Sequence, residues 1–144
     1  MNKLLLDTNI YIDYYRTDKF TEFFEKTSDS TIYVSAVVVM ELLSGVFTKS
    51  TIAPIDNLWN LARMSKKLSV PLWSDYVEAG RLLAKLQSQK GYEIKKTLGL
   101  TNDVLIALSA RRIGAMVITQ NRKDFEAIQS VKDFKLKIVS QPSA

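Results

Sequence analysis

Apolar residues fall along this chain in two rhythms, short unbroken runs and runs spaced three or four apart, and the two alternate from end to end. The run Lys3-Leu4-Leu5-Leu6 stops at Asp7 and reads as a buried strand, far too short to cross a membrane. Ile10, Tyr11, Tyr14 and Tyr15 then recur at helical spacing over Thr8 to Arg16, with Thr8 as the expected cap. A second short helix, Asp18 to Lys26, gathers Phe20, Phe23 and Phe24 on one face. Thr31 to Ser35 is β-branched and aromatic, a second strand, with Ser35 placed to cap a helix over Ala36 to Phe47 that is apolar nearly all round and so expected to be buried. Thr48 to Pro54 reads as a loop, and Ile55 to Leu68 as a helix with Leu58, Trp59, Leu61 and Ala62 inward.

Val70 to Trp73 gives a short third strand, which Pro71 assigns to an edge or to its first residues. Asp75 opens a helix to about Lys90, with Asp75 and Glu78 fitting a capping box and Val77, Leu82, Leu83 and Leu86 buried. A loop from Gly91 to Leu100 precedes a helix over Asn102 to Ile113, capped by Thr101, with Asp103 in its first turn. Ala115 to Thr119 and Leu136 to Val139 are the fourth and fifth strands, separated by a helix from about Lys123 to Ser130, and the tail from Gln141 reads as frayed. Strands alternating with helices of these lengths predict an α/β fold of three layers, a mostly parallel sheet of four to five strands flanked by helices, in a single domain over residues 1–144.

That architecture gives the polar residues a place. Ligands of open α/β sheets sit outside the carboxyl ends of the strands. Asp7, Thr119 and Asn121 fall at such ends, and Asp103 and Asp124 at adjoining helix starts. Glu41 is the only charged residue between Asp29 and Lys49; it lies roughly 9 Å along its helix from the cap and must reach the same crevice from the side. An isolated carboxylate among Val37, Val38, Val39, Met40, Leu42 and Leu43 is costly to ionise without a partner. Several carboxylates in one crevice repel one another, and a divalent cation removes the conflict.

Composition narrows the chemistry. With no Cys and no His there is no disulfide, no thiolate nucleophile, no imidazole metal site and no histidine acid or base. Oxygen-only ligands suit hard cations such as Mg²⁺ or Mn²⁺. The formal net charge of +5 favours a polyanionic partner, although simple solubility explains it equally well. Lys95 and Lys96, with Tyr92 in the same loop, suit contacts to single-stranded nucleic acid, as a solvated lysine loop also would. The longest uncharged stretch, Ser30 to Met40, is too short for a membrane span, so the expected location is the cytoplasm.

Four stretches together resemble the PIN-domain ribonucleases and, within them, the VapC toxins of type II toxin-antitoxin pairs: Leu5-Leu6-Asp7-Thr8-Asn9, Ser35 through Glu41-Leu42-Leu43-Ser44-Gly45, Asn102-Asp103-Val104-Leu105-Ile106-Ala107, and Val117 through Asn121 to Asp124-Phe125. Each is weak alone; in this order across the whole chain they are fairly specific. The resemblance implies a ribonuclease acting on tRNA or other structured RNA. Asp7, Glu41 and Asp103 would ligate Mg²⁺ or Mn²⁺, Asp124 would be the fourth acid, and Asn9, Thr119 and Asn121 would support them. It further implies in-line attack by water that leaves a 5′-phosphate and a 3′-hydroxyl. Arg122 and Lys123 would hold the RNA backbone, a co-encoded antitoxin would silence the enzyme, and the active form would be a homodimer; Lys95 and Lys96 match no motif of the family and are RNA-contact candidates from their basic loop alone. Part of the aromatic face formed by Tyr11, Tyr14, Tyr15, Phe20, Phe23 and Phe24 is expected to be an interface. Two alternatives remain: a receiver-like phosphoacceptor module, which needs paired acids after the first strand, and a catalytically inactive domain that only binds protein or RNA.

Overall fold

The computed structural model describes residues 2–45, 49–93 and 98–140. Five strands, β1 (Lys3–Leu6), β2 (Thr31–Ser35), β3 (Leu68–Ser69), β4 (Met116–Thr119) and β5 (Leu136–Ile138), form one parallel sheet in the order β3-β2-β1-β4-β5. The helices α1 (Thr8–Thr17), α2 (Thr21–Lys26), α3 (Ala36–Ser44), α4 (Lys49–Met64), α5 (Trp73–Lys90), α6 (Leu98–Ile113) and α7 (Arg122–Val131) connect them. This is the three-layer α/β fold that the alternation of runs predicts.

The strand order carries the functional consequence. From β1 the chain steps outward through β2 to β3, then returns to the other side of β1 to lay down β4 and β5. The reversal falls between β1 and β4, and a crevice opens at the carboxyl ends of two strands whose connections leave in opposite directions. Leu4 pairs with Met116 and Leu6 with Ile118 in that junction, and the Asp7 N–H still donates to the Ile118 carbonyl at 2.9 Å. Asp7 and Thr119 are therefore brought side by side by the central ladder itself.

The core lies on both sides of β1 and β4. Leu5, Leu6, Val117 and Ile118 are fully buried, and the helix behind the crevice, α6, buries Val104, Leu105, Ile106, Ala107, Leu108 and Ala110 in succession. A helix with so little polar surface must be central, which holds its amino-terminal half still against the sheet edge.

Several boundaries differ from the sequence reading. Asp7 rather than Thr8 caps α1, its Oδ1 accepting from the Thr8 N–H at 2.8 Å. Asp18 ends α1 in a left-handed conformation instead of opening α2, which starts at Thr21. α4 begins at Lys49 and carries Pro54 inside it, where a loop was expected, and Leu61 is 67% exposed while Ile55 and Ala62 form its inner face. β3 lies at Leu68–Ser69, just before the proline rather than across it, at the sheet edge. α5 starts at Trp73, with Leu72 as N-cap; Asp75 is the acid of its third position, accepting from the Leu72 N–H at 2.8 Å, and pairs with Arg112. Glu78 joins Lys132 at 3.2 Å instead of completing a capping box, and Val77 is exposed. α6 begins at Leu98, so Thr101 is inside it and Asp103 stands in its second turn. The expected tail from Gln141 to Ala144 lies outside the described residues.

Candidate active site

The crevice is assembled from the ends of elements whose local chemistry fixes them. Asp7 ends β1, caps α1 and is only 4% exposed. Besides the Thr8 N–H, its carboxylate receives the Thr119 hydroxyl at 2.6 Å and the Asn9 amide at 3.2 Å, both on Oδ2. Thr119 ends β4, and its Oγ in turn accepts the Asn121 N–H at 3.0 Å, which tightens the turn leading into α7.

Glu41 reaches the crevice from α3. Ser35 caps that helix as expected, accepting from the Val37 N–H at 3.1 Å, so its first turn is anchored to the end of β2. Two turns in, Glu41 Oε1 accepts the Thr8 hydroxyl at 2.7 Å and Oε2 accepts the Asn102 amide at 3.4 Å. The carboxylate thus turns inward, toward the starts of α1 and α6. The helix is not buried all round, since Met40 and Leu43 are exposed.

Asp103, 7% exposed, comes from α6 and accepts the Asn121 amide on Oδ2 at 3.2 Å. The same Asn121 amide donates to Asp124 Oδ2 at 3.1 Å, and the Asn121 side chain caps α7 by accepting the Asp124 N–H at 3.4 Å. Asn121 therefore joins the third and fourth acids. Asp124 Oδ1 takes the Tyr92 hydroxyl at 3.0 Å.

Electrostatics ties the four together. Burial, less the help of the Thr119, Thr8 and Asn9 donors, lifts Asp7 from 3.8 to about 6, with Glu41 adding repulsion. Asp103 is lifted further, from 3.8 to about 9, by burial first and then by repulsion from Asp7, Glu41 and Asp124, with only the Asn121 amide opposing. Among the described residues no Lys or Arg pairs with any of the four acids. Hydroxyl and amide groups donate to them instead.

The donor set suits a hard divalent cation: all ligands are oxygens, no protein cation competes, and the acids repel one another. The side chains have not closed into a cage, for no group of three acids among the described residues stands at ligand spacing. Asn121 lies between Asp103 and Asp124, while Thr119 and Asn9 occupy Asp7. Each carboxylate oxygen so held keeps a second lone pair with which to meet a cation.

The remaining sequence candidates divide. Arg122 is spent on Glu126 at 2.7 Å, an exposed pair one turn along α7. Lys123 stands nearer the site, its Nζ 6.0 Å from the centre of the Tyr92 ring. Lys95 and Lys96 lie outside the described residues. Thr8, Asn102 and Tyr92 escaped the sequence reading as partners of the acids. For two of them a signal was present, since Asn102 directly precedes Asp103 and Thr8 directly follows Asp7. Gln120, between Thr119 and Asn121, locks α1 to the site by donating to Asp13 at 2.9 Å.

An acid-lined crevice at the switch point of a parallel α/β sheet defines the class, and comparison gives the family. The chain belongs to the PIN domain family, whose model matches residues 4–130. Among solved structures it is similar to VapBC2 from Rickettsia felis bound to a DNA fragment from their promoter, with 26% identity and a TM-score of 0.65 over 96% of this chain and 99% of that chain. DNA-bound VapBC from Salmonella typhimurium is similar at 24% identity and a TM-score of 0.60, covering 96% and 98% of the two chains. VapBC-1 from nontypeable Haemophilus influenzae shares 21% identity with a TM-score of 0.65, covering 94% and 97%. These last two likenesses speak for the fold alone. No curated protein matches the sequence.

Proposed function

We propose that this protein is a Mg²⁺- or Mn²⁺-dependent endoribonuclease, the toxin of a toxin-antitoxin pair, that hydrolyses phosphodiester bonds in tRNA or other structured RNA. The observation that carries the reading is the meeting of Asp7, Glu41, Asp103 and Asp124, from four different elements, in one crevice without a protein cation among the described residues. Membership of the PIN family and likeness to VapBC assemblies support it.

Asp7, Glu41 and Asp103 would hold the cation, with Asp124 as the fourth acid. When bound, such an ion polarises the scissile phosphate and lowers the pKa of an attacking water. Thr119 and Asn9 keep Asp7 aimed into the crevice, Thr8 and Asn102 do the same for Glu41, and Asn121 holds Asp103 beside Asp124. Lys123, whose Nζ lies 6.0 Å from the centre of the Tyr92 ring, would meet a backbone phosphate; Arg122 would have to leave Glu126 to join it.

The likeness to VapBC complexes supports a co-encoded antitoxin as partner, in the cytoplasm. For the homodimer, apolar surface on α3 and at the start of α5 offers the contact: Met40 and Leu43 on the first, Trp73, Tyr76 and Val77 on the second, with Trp73 80% exposed. The aromatic face of α1 and α2 is the poorer choice, because Tyr11 and Phe20 are buried and Tyr14, Tyr15, Phe23 and Phe24 stack largely on one another.

The experiment is incubation with total cellular RNA and Mg²⁺ or Mn²⁺, followed by sequencing of fragment ends. Discrete cleavage with 5′-phosphate ends, abolished by chelation and by Asp103→Asn, is expected. Undiminished cleavage in chelator would overturn the reading.

A further inference from the structure

Tyr92 is not one of the acids, yet the chain is built to deliver it to one of them. α5 ends at Gly91, in a left-handed conformation with φ 72°, and the N–H groups of both Gly91 and Tyr92 return to the Leu86 carbonyl. That reversal stops the helix and sets the angle at which the chain leaves it. The Tyr92 ring packs against the core, and its hydroxyl donates to Asp124 Oδ1 at 3.0 Å. Asp124 Oδ2 is held at 3.1 Å by Asn121, whose amide also reaches Asp103 Oδ2 at 3.2 Å.

Both oxygens of Asp124 are therefore held, one from the end of α5 and one from the cap of α7. Each retains a second lone pair for a cation. A carboxylate held at one oxygen alone can swing about its own axis, whereas a two-point hold leaves it a single orientation.

We propose that Tyr92 is a positioning residue, its hydroxyl holding the Asp124 carboxylate in the orientation in which it serves the cation site of Asp103. The inference rests on the metal-dependent reading above. A tyrosine that only tied α5 to α7 would influence stability and leave cation affinity alone. Removal of an outer partner that orients a metal-binding carboxylate weakens affinity by about 10-fold or more.

The test is calorimetric titration of the full chain with Mn²⁺ in the wild type, Tyr92→Phe, Asp124→Ala and the double variant, with melting temperatures recorded alongside. Tyr92→Phe keeps the ring and removes only the hydroxyl. The expected result is a dissociation constant about 10-fold higher for Tyr92→Phe, and no further weakening when it is added to Asp124→Ala, because the carboxylate it orients is gone. Wild-type affinity in Tyr92→Phe, or an equal loss in the Asp124→Ala background, would overturn the inference while the metal reading stands. A wild type that takes up no Mn²⁺ would overturn both.

Discussion

Asp103→Asn should stabilise the metal-free protein while destroying its activity. Asparagine has nearly the shape of aspartate, and its side-chain oxygen can accept the Asn121 amide that now lies 3.2 Å from Asp103 Oδ2. Only the charge is removed. Asp103 is raised from 3.8 to about 9 in the fold by burial and by three neighbouring acids, so the folded chain holds this proton more tightly than the unfolded chain. The stability that the proton confers is full below pH 3.8 and is lost as pH rises toward about 9. At pH 7 roughly three pH units of that window have been crossed, which corresponds to about 4 kcal/mol. The variant has no such loss. It should match the wild type near pH 4 and exceed it by up to about 4 kcal/mol at pH 7, in urea denaturation with chelator present. Saturating Mn²⁺ should narrow or reverse the gap, since an ion that binds the folded wild type more tightly than the folded variant stabilises it more. A variant less stable than the wild type at pH 7, or a difference that does not change with pH, would refute the reasoning.

Asp7→Asn should abolish cleavage yet melt close to the wild type, because asparagine still caps α1 and the relief of a carboxyl raised to about 6 is offset by an amide that can no longer accept both the Thr119 hydroxyl and the Asn9 amide; Asp7→Ala should lose about 1 kcal/mol more in denaturation. Arg112→Ala leaves Asp75 buried without its charged partner and should destabilise by about 2 kcal/mol with cleavage per folded molecule unchanged, read by urea melts and initial rates. RNA affinity should fall with salt, and Lys123→Ala should reduce the slope of log affinity against log salt by about one, measured by filter binding over a salt series. Trp73→Arg should shift the proposed dimer to monomer in sedimentation, and at protein concentrations low enough to dissociate the wild type as well the two should melt alike, because an indole that is 80% exposed contributes little to its own fold.

The parts of the fold that could be read in advance were those where local and tertiary preferences agree. β1, β2 and the Ser35 cap come from unambiguous patterns, a short apolar run and a hydroxyl before an apolar helix. The acids could be singled out because each interrupts or borders apolar sequence, Asp7 and Asp124 where an element ends or starts and Glu41 and Asp103 within an apolar helix, and the sheet order brings them to a common edge. What escaped depended on neighbours distant in the chain. Asp7 takes the cap from Thr8 because the Thr8 hydroxyl is drawn 33 residues away to Glu41. Leu61 was expected inward because it is leucine, but the turn of α4 that faces the sheet is set by Ile55 and Ala62. Pro54 looked like a helix stop, and α4 runs through it. Tyr92 read as a loop aromatic until the end of α5 was seen to aim it at Asp124, 32 residues on.

The central claim, that acids far apart in sequence share one cation, is tested most directly by counting the protons released when Mn²⁺ enters the metal-free protein at pH 7, from titration heats in buffers of different ionisation enthalpy. With Asp103 raised to about 9, it carries its proton at neutral pH and must surrender it to bind. The account predicts one bound ion and the release of about one proton, with that release absent in Asp103→Asn. Binding without proton release, or the same release in the variant, would contradict it.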